Sequence, residues 1–295
     1  MIKLVNDTIS NEEILSLVDW LKTFPRLTKG ELTERYEESW SNKLGCKHSV
    51  FVNSGSSALL LSIYSLLERG ILKRGDDVVV PALSWATDLS PVVQLGLNPI
   101  LCDCNLTNLS VDLTHLKEIT TNHKPKALIL VSVLGLVPDM DEVVNFCEEN
   151  NLILIEDACE SLGSKHRGKN LGTFGLMSCF STYYGHHLST IEGGMICTND
   201  TETFNLLKSL RSHGWDRDMS QEHSTRLQKQ YNIVDDFESL YKFYHFGFNV
   251  RSTDLQAFLG INQLGRLSEI VEKRNRNYNT YRSLIKNPFW EPPES

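Results

Sequence analysis

Seven short runs rich in Val, Ile and Leu recur along this chain, with helical stretches between them. They are HSVFV (48–52), DVVVPA (77–82), NPILCDCN (98–105), KALILVSVLG (126–135), NLILIEDAC (151–159), LMSCFST (176–182) and GMICTN (194–199). A strand that stays apolar without alternating is buried on both faces. Strands that return through helices run parallel. The pattern predicts an α/β fold built on one mostly parallel seven-stranded sheet, flanked by helices such as SSALLLSIYSLLERG, SWATDLSPVVQLG, DMDEVVNFCEENN and TETFNLLKSLRSHG. There is no internal repeat or low-complexity segment.

Residues 213–247 break this rhythm with a polar, aromatic and irregular stretch, the kind of segment that is usually functional or interfacial. Residues 252–285 then read as one long helical stretch, because Leu255, Phe258, Leu259, Ile261, Leu264, Leu267, Ile270 and Val271 recur at helical spacing. The chain stops soon after, at NPFWEPPES. Its 295 residues suffice for a large core and more than one domain. We expect a large domain over 1–250 and, over 251–295, a connecting helix and the start of a second, smaller domain that looks missing or truncated.

A net charge of −8 argues against a nucleic-acid partner. No run approaches the roughly 18 apolar residues of a membrane span, and the acidic N-terminus does not resemble a signal peptide. We therefore expect a cytoplasmic protein. Of seven cysteines, only Cys102 and Cys104 lie close together, on one face of a strand. Too few ligands follow for a zinc or iron–sulfur site, so free thiols are expected.

Three strand ends carry chemically suggestive residues. In FVNSGSSALLL a strand passes through a tight turn at Gly55 into a helix, and its backbone N–H groups with the Ser56 and Ser57 hydroxyls suit a phosphate. A serine-rich N-cap without a ligand explains the same residues. Asp157 ends a buried strand, where open α/β sheets bind ligands; it could pair with a protonated ring nitrogen or cap the next turn. Trp85 follows another strand, placed to stack on a flat ligand or to pack in a loop.

Taken in order, NSGSSAL, Trp85, EDACESLGS, STYYGHHLSTIEGG and GFNVRSTDLQAFLGINQL resemble the sugar-nucleotide branch of the fold-type-I pyridoxal-phosphate enzymes, the nucleotide-sugar aminotransferases and their dehydratase relatives. The resemblance covers nearly the whole chain. It implies an aspartate-aminotransferase-like fold and pyridoxal or pyridoxamine 5′-phosphate as cofactor. In the aminotransferases a lysine stands five residues after the phosphate-binding serine and six before the Glu of Glu-Gly-Gly. Counting from Ser181 and from Glu192, that position is His186. This swap resembles the 3-dehydratases of the family. An iron–sulfur dehydrase branch shares it but needs cysteines late in the chain, and Cys197 is the last here.

Lysine both tethers this cofactor covalently and moves protons; imidazole can only move protons, near neutral pH. The resemblance then implies the following roles. Glutamate donates the amine, and Asp157 keeps the pyridine nitrogen protonated. His186 takes a proton from the cofactor, and the C3 hydroxyl leaves a nucleotide-linked 4-keto-6-deoxy sugar, with GDP as the nucleotide by resemblance. Water ends the reaction, releasing a 3-deoxy-4-keto sugar and ammonia. Ser56, Ser57 and Ser181 would hold the phosphate and Trp85 would stack on the ring. Glu160 would lie near the ring's phenolic oxygen. Asn249 would reach the neighbouring subunit's cofactor, making a homodimer with shared sites. His213 could touch sugar or glutamate, or simply cap a loop, and His187 fits a supporting or surface place. Two other readings stay open: an aminotransferase using His187, Lys165 or Lys169 as base, and a non-catalytic, truncated cofactor-binding protein.

Overall fold

The computed structural model describes residues 7–285; residues 1–6 and 286–295, which include the closing NPFWEPPES segment, lie outside the described residues. In chain order the elements are α1 (Asn11–Leu21), α2 (Glu31–Leu44), β1 (His48–Val52), α3 (Gly55–Glu68), β2 (Asp77–Pro81), α4 (Ala86–Gln94), β3 (Asn98–Cys102), α5 (Leu113–Asn122), β4 (Ala127–Val131), α6 (Met140–Glu149), β5 (Ile153–Asp157), β6 (Lys165–His166), β7 (Lys169–Asn170), β8 (Met177–Ser181), β9 (Gly194–Thr198), α7 (Thr201–Leu210), α8 (Gln221–Gln230), α9 (Asp236–Ser239), α10 (Asp254–Gly265) and α11 (Leu267–Leu284).

Seven strands form one sheet in the order β1-β9-β8-β5-β4-β2-β3, and β6 and β7 make a separate small hairpin. The pairs β2–β3, β2–β4, β4–β5 and β5–β8 are parallel, while β9 runs antiparallel to both β8 and β1. The seven apolar runs therefore occupy the seven strands, and β4, all five residues buried, shows why its run does not alternate. Because β9 is reversed, its first residue, Gly194, lies at the same sheet edge as the carboxyl ends of β1, β2, β4, β5 and β8. The register places Gly194 opposite both Val52 and Ser181.

One apolar layer joins the sheet to α3, α4 and α7 through Leu59, Leu66, Val80, Ile129, Ile155 and Leu207. On the other face lie two clusters. One is built by Tyr36, Trp40, Phe51, Phe180 and Met195 with α10 and α11, the other by Leu116, Leu128, Leu130, Met140 and Val143. Each such side chain, taken from water, contributes about 1.5–3 kcal/mol.

The C-terminal helices are tied to the rest by polar contacts as well. The Asp254 carboxylate accepts the Gly30 N–H (2.8 Å), the Thr33 N–H (2.9 Å) and the Thr33 hydroxyl (2.7 Å), so the start of α10 caps the start of α2. Gly260 lets α10 ride directly on the Tyr36 ring, since a Cβ there would lie 2.4 Å from it. Residues 254–284, expected as one stretch, form two helices that part at Arg266. The stretch expected as irregular contains α8, capped by Ser220, and the single turn of α9. All seven cysteines are free thiols; Cys102 is buried at the end of β3, whereas Cys104 lies past the strand and is only half-buried. No described helix is long and apolar enough to cross a membrane.

Candidate active site

The sheet edge that gathers the strand ends also gathers most of the sequence-level candidates. At the end of β1, the Ser54 hydroxyl accepts the Ser57 N–H (3.0 Å) and the Ser54 carbonyl accepts the Ala58 N–H (3.0 Å). The N-cap of α3 is thus Ser54. Ser56 is exposed and Ser57 half-buried in the first turn, where N–H groups and the positive end of the helix dipole face outward.

Ser181, at the end of β8, closes this mouth from the other side. A Cβ on Gly55 would lie 2.7 Å from the Ser181 Cβ and 3.1 Å from Cys159 Sγ. A Cβ on Gly194 would lie 2.2 Å from the Ser54 carbonyl oxygen and 2.6 Å from the Gly55 nitrogen. The glycines are therefore space-making residues: they allow Ser181 and the Ser54–Ser57 turn to pass close to one another.

Residues 182–193 leave β8 and return as a loop. Its stem is closed by Thr182 N–H to Gly193 O (2.9 Å), Thr190 N–H to Thr182 O (2.9 Å) and a 2.5 Å contact between the Thr182 and Thr190 hydroxyls. The C-terminal helices steady it: Gln256 donates to the Glu192 carbonyl (2.5 Å), and Arg274 donates to the His186 carbonyl (2.9 Å). Sequence reasoning assigned these anchors nothing, since their partners lie 64 and 88 residues away.

The two adjacent histidines sit in different surroundings. His186 is half-buried, its ring set edge-on to Tyr183 at 6.3 Å, and the Glu160 and Asp157 carboxylates bear on it. Burial holds its imidazole below the ordinary range; the carboxylates oppose that shift and Arg274 adds to it. His187 has no carboxylate among its main neighbours. Burial, with Arg274 and His186, pushes it down to about 3, and its Nδ1 is buried without a hydrogen-bond partner.

Asp157, 7% exposed at the end of β5, accepts the Cys159 N–H at 2.8 Å. Its neighbour Glu156 points to the opposite face of the sheet, as strand alternation requires. There it accepts the N–H groups of Gly172, Phe174 and Gly175, each at 2.7 Å, which pins the turn entering β8. Glu160 is exposed, and its carboxylate accepts the Leu134 N–H (2.6 Å). Trp85 stands at the N-terminus of α4 with 76% of its surface exposed, so it is not a packed core residue.

One residue of PALSWATD went unassigned from sequence. Asp88, in the first turn of α4, is fully buried, and neither carboxylate oxygen has a hydrogen-bond partner. It faces Asp157, and burial together with that carboxylate pushes it up to about 9.

Asn249 and His213 form a second group. Ser212 and Asn249 bridge antiparallel, the His213 N–H reaches the Phe248 carbonyl (2.6 Å), and Arg251 donates to Asn249 Oδ1 (3.1 Å). His213 has φ 65° and meets Trp215 edge-on at 5.2 Å. This crossing joins the β1 end through Asn53 N–H to Val250 O (3.0 Å). Lys165 and Lys169 lie on the exposed β6–β7 hairpin, where the Lys169 ammonium sits over the Phe174 ring.

The arrangement suits a flat, phosphorylated aromatic ligand. It offers a helix N-terminus with free N–H groups, an exposed indole, and the strand-end carboxyl of Asp157 with the buried carboxyl of Asp88 facing it. The α/β fold and this edge define the class of fold-type-I enzymes, and the chain belongs to the DegT/DnrJ/EryC1/StrS aminotransferase family, whose model matches residues 8–289.

Within that family it is 37% identical over 277 residues to the GDP-4-keto-6-deoxy-D-mannose 3-dehydratase of Yersinia pseudotuberculosis, covering 93% of this chain and 70% of that protein. A structure of the E. coli GDP-4-keto-6-deoxy-D-mannose-3-dehydratase with bound hydrated PLP superposes with a TM-score of 0.87 at 34% identity, over 99% of this chain and 76% of that one. A structure of GDP-4-keto-6-deoxymannose-3-dehydratase with a trapped PLP–glutamate geminal diamine gives 0.88 at 32% identity, over 100% and 76%.

Proposed function

We propose that this chain is a pyridoxal/pyridoxamine-phosphate-dependent 3-dehydratase that removes the C3 hydroxyl from a nucleotide-linked 4-keto-6-deoxyhexose, with GDP as the nucleotide and glutamate as amino donor, in deoxysugar and lipopolysaccharide O-antigen synthesis. We place it in the cytoplasm as a homodimer with shared sites, its cofactor-binding part lying before about residue 250. The observation that carries the reading is His186: a half-buried imidazole, beside the Asp157 and Glu160 carboxylates, at the position where the aminotransferases carry an amine.

Bound cofactor supplies an amine that joins the sugar ketone and a ring that accepts electrons. The protein's part follows from its own residues. The α3 N-terminus, Gly55, Ser56, Ser57 and Ser181 hold the phosphate. Trp85 would cover one face of the ring, Asp157 would meet its nitrogen, and Glu160 would lie near its oxygen. Burial favours the neutral form of His186, whose ring nitrogen can accept a proton and later return it to the departing hydroxyl. Unlike a lysine amine, its imidazole offers no group that would hold the cofactor covalently. Asn249 reaches the neighbouring protomer's phosphate and His213 contacts sugar or glutamate.

The test is borohydride treatment of the purified, cofactor-loaded protein. Cofactor that dialyses away after treatment supports an imidazole site, and cofactor fixed to the chain refutes it. His186→Lys is expected to make the cofactor fixable and to abolish ammonia release from a 4-keto sugar nucleotide. Undiminished ammonia release in that variant rules out an essential imidazole.

A further inference from the structure

Asp88 has no place in the roles given so far, yet it occupies one of the most demanding positions in the molecule. Its carboxyl is fully removed from water at the first turn of α4; the Trp85 backbone bears on it, but neither oxygen has a hydrogen-bond partner of ordinary geometry. The titratable groups that bear on it are Asp157 and Glu160, with the thiols of Cys159 and Cys179 on the other side of Asp157; none is cationic. Burial keeps both thiols protonated. Two facing carboxylates in a dry site cannot both be ionised, because neither solvent nor a cation offsets their repulsion. The pair must hold one proton at neutral pH.

Which member holds it follows from the surroundings. Asp157 is slightly exposed and already accepts the Cys159 N–H at 2.8 Å, a bond that favours its anion, whereas Asp88 is fully buried and the Trp85 backbone beside it makes no hydrogen bond of ordinary geometry. We propose that Asp88 is a positioning residue for the cofactor site: it carries the shared proton and donates it to Asp157, so that Asp157 enters the ring-nitrogen site as a single, oriented anion. This rests on the reading of Asp157 as the ring's partner. Asp88 does not touch the reacting atoms. It sets the charge of the site at one rather than two, and it limits rotation of the Asp157 carboxylate.

The test uses Asp88→Asn, Asp88→Leu and Asp157→Ala in the full chain, with infrared spectroscopy of cofactor-free protein and equilibrium titration with pyridoxal phosphate. The wild type is expected to show a buried protonated-carboxyl band at pH 7 that Asp88→Asn removes. Absence of the band, or its survival in that variant, overturns the proposal even if Asp88→Leu does not fold. Asp88→Leu leaves Asp157 without its donor and is expected to weaken binding about tenfold, the effect of one charge-assisted hydrogen bond. Asp88→Asn, which can still donate, is expected to restore affinity to within about threefold. Wild-type affinity in Asp88→Leu overturns the role of Asp88 alone. Wild-type affinity in Asp157→Ala overturns the ring-site assignment on which it rests.

Discussion

Replacing Gly194 with alanine probes the space on which the proposed phosphate site depends. The new Cβ would stand 2.2 Å from the Ser54 carbonyl oxygen and 2.6 Å from the Gly55 nitrogen, both backbone atoms. Ordinary contact lies near 3.5 Å, so the β9 start and the Ser54–Gly55 turn must separate by about 1 Å. Gly194 is held on both sides, by Val52 and by Ser181, so the displacement falls on the turn that begins α3. Overpacking of this kind costs about 1–3 kcal/mol, or a fall in Tm of roughly 2–10 °C for a chain of this size. Moving the α3 N–H groups 1 Å further from Ser181 takes one phosphate bond out of range, about 1.5–3 kcal/mol, and weakens cofactor binding roughly 10- to 100-fold. The assay is a thermal melt followed by titration with pyridoxamine phosphate. Gly265→Ala is the control, since nothing lies within 4 Å of its Cβ. If Gly194→Ala melts and binds as the wild type does, the close approach does not shape the site and the argument fails.

Arg211→Met tests the link between β1, α2 and the crossing that carries His213. Arg211 is fully buried, bonds Glu37 (2.5 Å) and the Phe51 carbonyl (2.9 Å), and its loss strands a buried carboxylate; we expect about 3–5 kcal/mol of destabilisation in urea melts. His187 predicts acid lability. Burial pushes it down to about 3, below the ordinary imidazole value of about 6.5, so the unfolded chain binds the proton first: stability is full above pH 6.5 and falls as pH drops toward 3. At pH 4.5 this amounts to about 2–3 kcal/mol, and His187→Gln should flatten the decline in Tm between pH 7 and 4.5.

The sheet was legible in the sequence because strands buried on both faces have no polar side to interrupt the apolar run. Ile153–Asp157 and Ala127–Val131 announce themselves by composition alone. His186 was picked out for a different reason: the resemblance to the aminotransferases gives a lysine spacing, and counting it from Ser181 and Glu192 along one short loop needs no tertiary information. The parting of the C-terminal helices at Arg266 was less so, since apolar spacing continues across it from Leu264 to Leu267 and Ile270.

Other features exist only once distant segments meet. Asp88 looks like an ordinary first-turn acid of α4 until the fold sets it against Asp157, 69 positions later, in a place without water. The ion pair of Glu37 with Arg211 spans 174 residues, and the Gly194 approach to Ser54 joins β9 to the end of β1. Local pattern records which face of an element is apolar and what chemistry a short loop carries. Which buried charges confront one another, and how closely two backbones pass, depends on the sheet order β1-β9-β8-β5, because that order brings chain segments together regardless of their separation in sequence.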